Sequence, residues 1–290
     1  MNYKYVIISP VRNEEDYVEL TLKSIINQTI LPAEFILIND GSTDRTAEII
    51  EKYTQKYPWI KKIDKEDRGY YLPGTGVVDT FYKGFDKISI PDWNFVVKLD
   101  CDLEFEPNYF ENILREFDKD PRLGIASGCT YIPVEDNKLI QEPTQEDHPV
   151  GPSKVYRREC WEAINGLKPI PGWDLADLLS AQMNGWNTVC FFDLKLKHYR
   201  ITGSRRKGVW QPKHLQGRFE YRHGYNFGYT VLKAFRHLFS KPAIIGSVAK
   251  ITGYVYAAIN REDYLFDSDM RKFLRKKHSQ FIKQKLRIIK

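Results

Sequence analysis

The stretch KLDCDLEFEP sets Asp100, Asp102, Glu104 and Glu106 on alternate residues, directly after the apolar run Phe95-Val96-Val97. Carboxylates at the end of a buried strand are hard oxygen donors, the ligand type that Mg²⁺ and Mn²⁺ take. An ion held by only one or two of them, Asp100 and Asp102 foremost, keeps positions open for phosphate oxygens. The competing reading is a solvated acidic loop. Asp40 closes a second apolar run and can accept hydrogen bonds from the N–H edge of a nucleobase or from ribose hydroxyls. Gly41 then lets the chain turn, and Thr43 or Asp44 caps the helix that follows. Asp174 and Asp177 stand three apart in GWDLADLLSAQMNGW, on one face of a helix whose positive end they also suit. His198 opens HYRITGSRRKG, where a neutral imidazole can complete a metal shell. Arg200, Arg205, Arg206 and Lys207 behind it can clamp a diphosphate or an acceptor phosphate.

The elements that must carry these residues alternate. YVIIS over Tyr5–Ser9 and FILI over Phe35–Ile38 read as short buried strands, Ile60–Ile63 as a third, and Asn94–Leu99 as the strand before the acidic run. Apolar residues at helical spacing predict helices over Glu14–Gln28, from Asp44 to about Tyr57, over Val77–Phe85 and over Asn108–Phe117. Continuous apolar strands alternating with helices imply an α/β fold, a mostly parallel sheet covered on both faces. Ligands in such sheets lie beyond the carboxyl ends of the strands. The polar clusters PVRNE, NDGSTD and DCD all fall there. Beyond these, Gly124–Tyr131 and Thr188–Leu196 are expected strands, Asp174–Asn184 a helix, and Pro133–Pro152 a polar loop or lid.

Composition removes several classes. A chain of 290 residues, 42% hydrophobic and 28% charged, has ample material for a globular core. Cys101, Cys129, Cys160 and Cys190 are far apart with no C-x-x-C, which argues against structural zinc and a disulfide scaffold and suits a reducing compartment. No signal peptide is expected at the charged N-terminus. YLPGTGVV lacks the third glycine of a dinucleotide fingerprint. The charge is split. Residues 195–290 hold 23 Lys and Arg against 5 Asp and Glu, a net of +18, whereas residues 1–194 hold 21 against 33, a net of −12. A basic C-terminal third suggests an anionic partner. Within it, 242–260 is mostly apolar but has a lysine at its middle, and 271–290 is polybasic. One reading is an interfacial helix with a basic tail at an anionic membrane surface; the other is a helix packed on the core with a solvated tail. QGRFEYRHGYNFGY interleaves basic and aromatic residues that can line an acceptor groove or touch lipid headgroups, without a nucleic-acid fingerprint.

VIISPVRNEEDYVELTLKSIINQT, FILINDGSTDRTAEII, VVKLDCDLEFEPNYFENIL and GWDLADLLSAQMNGW, in that order and spacing over about residues 1–200, resemble the inverting glycosyltransferases of family 2, which have the GT-A fold. The resemblance implies a nucleotide-diphosphate sugar bound across the strand ends. Pro10, Arg12 and Glu14 match the segment lining the nucleotide pocket, and Asp40 matches the residue that reads the base. Asp100 and Asp102 match the D-x-D that holds Mn²⁺ or Mg²⁺ on the diphosphate. Asp174 matches the catalytic base, although Trp173 stands where the family more often has Glu. A histidine after the base helix approaches the metal in similar enzymes, which fits His198. The implied organisation is a GT-A domain over 1–210, with donor binding in 1–105 and the acceptor and catalytic part in 106–210, then a basic helical extension over 211–290. The implied activity moves a sugar, UDP-linked by default, to a hydroxyl of a saccharide or lipid-linked saccharide in surface polysaccharide or glycolipid assembly, at the cytoplasmic side and peripheral to the membrane. Two alternatives stand beside it: a sugar nucleotidyltransferase, whose Gly-rich, Arg-containing loop SPVRNEED lacks, and a catalytically inactive protein that binds anionic lipid or nucleic acid.

Overall fold

The computed structural model describes residues 3–66, 74–134, 138–200, 208–236 and 243–288. The chain divides into two compact units, 1–201 and 202–290. In the first, the order is β1 (Tyr5–Val11), α1 (Val18–Ile26), β2 (Glu34–Asp40), α2 (Thr46–Lys56), β3 (Ile60–Lys65), α3 (Thr75–Phe85), β4 (Phe95–Leu99), β5 (Leu103–Phe105), α4 (Tyr109–Lys119), β6 (Leu123–Pro133), β7 (Leu139–Gln141), β8 (Ser153–Arg157), α5 (Arg158–Ala163), α6 (Trp173–Met183) and β9 (Asn187–His198).

The strands form one sheet in the order β3-β2-β1-β4-β8-β6-β9-β5, with β7 on β6. It is parallel from β3 to β4, as the βαβ alternation requires, and every residue of β2 and β4 is buried. Beyond β4 the pairing is antiparallel except for β6 with β9. Two apolar layers cover the sheet. One packs Tyr5, Leu22, Phe35 and Phe110 on one face; the other packs Ile8, Ile38, Phe81 and Trp161 on the opposite face. The spacing of Tyr109, Phe110, Ile113, Leu114 and Phe117 in α4 buries all five, as its periodicity demands.

Three elements depart from expectation. Leu103–Phe105 is a strand, because Leu103 and Phe105 are buried while Glu104 between them faces Lys197 and Tyr199 across β9. β8 was hidden in the irregular middle, because its Lys154 breaks the apolar run yet is fully buried. The Pro133–Pro152 stretch carries β7 rather than being all loop.

The second unit contains α7 (Trp210–Arg222), α8 (Phe227–Arg236), α9 (Ala243–Ile259) and α10 (Ser268–Ile288). α7 and α9 cross at backbone contact. A Cβ at Gly217 would lie 1.9 Å from the Lys250 carbonyl oxygen, and one at Gly253 would lie 1.9 Å from that of His214. Only glycine fits at either place. No described helix is long and apolar enough to cross a membrane.

Candidate active site

The strand register brings the predicted residues to one sheet edge. Val11 pairs with Asn39, and Ile8 pairs with Lys98, so Arg12, Asp40 and Asp100 all follow the carboxyl ends of adjacent parallel strands. β8 runs the other way, and Ser153 opposite Leu99 delivers Gly151 and Pro152 to the same edge. The Asp100 N–H donates to the Pro152 carbonyl at 2.8 Å.

The loops after β1 and β2 are laced together. Arg12 Nη1 donates to the Asp40 carbonyl at 2.6 Å. Asn13 has φ 53°, a left-handed conformation that asparagine tolerates, and its Oδ1 accepts from the Thr43 N–H at 2.9 Å. Glu14 N–H donates to Thr46 Oγ1 at 2.8 Å. Asp44 accepts from the N–H groups of Glu15 and Thr46, which draws its carboxyl below the usual range against the cost of its burial. It closes an Asx-type turn just before α2 rather than capping it, because Arg45 is the N-cap residue and no side chain caps the helix. The buried Asp40 carboxylate lies 3.0 Å from Lys65 Nζ. Arg200, expected on a phosphate, is bound to Glu14 and to the Asn13 carbonyl. Arg205, Arg206 and Lys207 lie outside the described residues.

The acidic run separates into two kinds of carboxylate. Glu104 is held by Lys197 and Tyr199, and Glu106 is exposed. Asp100 and Asp102 stay at the strand ends. Lys98, itself buried, donates to Asp100 Oδ1 at 2.5 Å and to the Gly151 carbonyl at 3.1 Å. Burial and the neighbouring Asp102 raise the Asp100 carboxyl, with Lys98 opposing them. Asp102 is buried; its Oδ2 lies 3.5 Å from His198 Nε2, while its Oδ1 has no hydrogen-bond partner among the described residues. The other ring nitrogen, Nδ1, is 2.7 Å from Glu142 Oε2. Burial disfavours charge on this imidazole, but the hydrogen bonds its N–H groups donate to Asp102 and Glu142 outweigh it and lift its pKa to about 10. Both ring nitrogens thus face carboxylates, and a metal ion at Nε2 would take the place of the proton there.

Among the described residues, no three His, Cys, Asp or Glu side chains form a ready-made metal cage. The orphaned, buried Asp102 Oδ1 nonetheless fits an ion taking one or two protein oxygens and the rest from phosphate. Glu142 fits the carboxylate that orients a ligating histidine. Sequence reading missed it, because it lies alone in a polar stretch and its only signal is the strand pairing that brings it beneath β9.

The two aspartates of α6 differ sharply. Asp177 is buried, with Lys154 Nζ at 2.9 and 3.0 Å and the Tyr156 hydroxyl at 2.5 Å. Burial still raises its carboxyl despite these partners. Asp174 is half-buried in the first turn, and among the described residues its carboxylate has no hydrogen bond or ion pair; a Cβ on Gly151 would sit 3.7 Å from its Oδ2. Gly172 before the helix has φ 83°, which admits glycine and turns the chain into α6. The buried Trp173 ring lies 5.3 Å from Lys98 Nζ and 5.5 Å from Lys154 Nζ, so it covers both ammonium groups.

The model of glycosyl transferase family 2 matches residues 6–170, which takes in Asp40, Asp100 and Asp102 and stops before Asp174 and His198. A chondroitin synthase of Pasteurella multocida is 32% identical over 125 residues, 43% of this chain and 12% of that protein, so the chain spans a small part of that relative. Among solved structures, S. aureus TarS 1-349 in complex with UDP superposes with a TM-score of 0.57 at 15% identity, covering 91% of this chain and 94% of that one. The mannosyltransferase PcManGT of Pyrobaculum calidifontis, in complex with GDP-Man and Mn²⁺, superposes with a TM-score of 0.54 at 15% identity, covering 97% and 81%. These likenesses establish the GT-A fold.

Proposed function

Since the chain belongs to glycosyl transferase family 2 and is a glycosyltransferase, we propose that it is an inverting enzyme that uses a nucleotide-diphosphate sugar and Asp174 as its base. The observation that carries this reading is the contrast in α6: Asp177 is consumed by Lys154 and Tyr156, whereas the Asp174 carboxylate stands half-exposed without such a partner among the described residues. A carboxylate that is not already paired can receive a proton.

The donor spans the strand ends. Asp40 takes the base or ribose, and Pro10, Arg12 and Glu14 line the nucleotide pocket. Asp100, Asp102 and His198 would hold Mn²⁺ or Mg²⁺, which supplies stabilisation of the charge that develops on the departing diphosphate. The UDP bound by one fold neighbour and the GDP-Man and Mn²⁺ bound by another support this set. Asp174 accepts the proton of the acceptor hydroxyl as its oxygen attacks C1. The C1–O bond to the diphosphate breaks, and the electron pair leaves with the nucleoside diphosphate. A single displacement inverts the anomeric centre, by the logic of a separated base in inverting glycoside chemistry. Lys98 holds Asp100, and Glu142 holds His198, so both act through the residues they position.

The acceptor is a hydroxyl of a saccharide or lipid-linked saccharide, in assembly of a surface polysaccharide or glycolipid, in keeping with the synthases among the relatives. The test is transfer from a panel of UDP- and GDP-sugars to oligosaccharide acceptors, with the product's anomeric configuration read by NMR. Inversion is expected. A product that retains the donor's configuration contradicts the mechanism.

A further inference from the structure

Helix α9 reverses the usual arrangement of a surface helix. Its one charged side chain, Lys250, is buried 2.7 Å from the buried Glu220, which also binds Lys233 at 3.1 Å and the Thr230 hydroxyl at 2.7 Å. Its apolar side chains face outward instead. Ile244, Ile245, Val248, Val255, Tyr256 and Ile259 are exposed by 68, 57, 44, 38, 50 and 74%. At 3.6 residues per turn they fall within an arc of about 120° that runs the length of the helix, about 25 Å. Ala249, Gly253 and Ala257 face the other way and are buried. Single exposed apolar residues are ordinary, but a charge-free stripe of this extent marks an interaction surface.

The border of the stripe is basic. At one edge the Arg218 guanidinium lies 5.4 Å from the Tyr256 ring while it also pairs with Glu262 at 2.7 Å. Arg261 follows the helix end. Residues 202–290 hold 20 Lys and Arg against 5 Asp and Glu, a net of +15. Such charge opposes a second copy of the same unit and favours an anionic surface. The helix is 17 residues long, and no described helix can cross a bilayer.

We propose that the outer arc of α9 is a docking surface for an anionic lipid bilayer. The helix lies in the interfacial plane, its isoleucines and valines enter the acyl boundary, and Arg218 and Arg261 at its border reach the headgroups. This goes beyond the transfer reaction and does not depend on which donor is used.

The test is flotation of the full chain with vesicles of phosphatidylcholine, with and without one quarter phosphatidylglycerol. Binding is expected to the anionic vesicles, weakening as salt rises. Replacing Ile244→Gln together with Ile259→Gln leaves the net charge untouched, so it separates apolar insertion from charge attraction. About a tenfold or greater loss of binding is expected from it, with an unchanged thermal midpoint. Should the double variant fail to fold, Val255→Gln alone is read the same way, with a smaller loss. The proposal is overturned if the wild type ignores anionic vesicles, or if the isoleucine variant binds them as tightly as the wild type. It is equally overturned if sedimentation shows a dimer that this variant dissolves.

Discussion

Replacing Asp174 and Asp177 one at a time by asparagine separates the proton acceptor from the structural carboxylate. Asp177 is buried against Lys154, whose ammonium is equally buried. Asp177→Asn strands that ammonium, and breaking a buried pair from one side costs about 3–5 kcal/mol. For a chain of this size each kcal/mol shifts the midpoint by roughly 2–4 °C, so a fall of roughly 6–20 °C is expected. Asp174 has no such partner among the described residues, and its stabilising part is its place in the first turn of α6. Losing that charge costs about 0.3–1 kcal/mol, a fall of roughly 1–4 °C. Its effect on turnover is the reverse: loss of a general base lowers the rate by about 10²–10⁴-fold. Thermal unfolding and initial rates at saturating donor measure both. Removing the pair altogether, with Lys154→Met and Asp177→Leu, should recover much of the stability lost in Asp177→Asn. If Asp174→Asn turns over normally while Asp177→Asn folds well and is inactive, the assignment of the base is wrong.

Three further outcomes follow from the same contacts. His278 is stacked on Tyr229 at 3.8 Å, and burial with nearby Lys233 lowers its pKa to about 3. The unfolded chain therefore binds a proton below about 6.5 that the folded chain refuses until about 3, so stability falls with decreasing pH by about 1.4 kcal/mol per unit across that window; unfolding titrated from pH 7 to 4 should show this slope, and His278→Phe should flatten it. Glu142→Gln weakens the hold on His198 and should lower metal-dependent nucleotide affinity by about 10–100-fold in calorimetry, an effect absent if the pair is only structural. Gly253→Ala drives a methyl into the His214 carbonyl and should destabilise the helical unit by about 1–3 kcal/mol in denaturant unfolding; an unchanged midpoint would mean that α7 and α9 are not in backbone contact.

The parallel half of the sheet was legible in the sequence because its strands are buried on both faces and are bounded by turn chemistry. Asp40, Asp100 and Asp102 were legible for the same reason: polar residues directly after such runs have only the sheet edge to occupy. The antiparallel half was not. β8 contains a lysine whose burial depends on Asp177, 23 residues away, and no local pattern encodes that pairing. Likewise, the resemblance favours Asp174 within D-L-A-D, but no local pattern encodes the burial of Asp177 on Lys154 and Tyr156. Glu142 follows β7, three exposed residues with no alternation, so its approach to His198 depends on a nonlocal register. The apolar run at 242–260 left open which way its lysine faces, and Glu220 decides that from another helix.

The central claim is that the strand ends bind a nucleoside diphosphate through a divalent ion held by Asp102. The most direct measurement is thermal unfolding of the wild type and of Asp102→Asn against UDP and GDP, each with and without Mn²⁺. A ligand at 100 times its Kd stabilises the native state by about 2.7 kcal/mol, well within detection. One nucleotide raising the wild-type midpoint only when Mn²⁺ is present, and failing to raise that of Asp102→Asn, is the result predicted. An equal rise without metal, or an undiminished rise in Asp102→Asn, would contradict it.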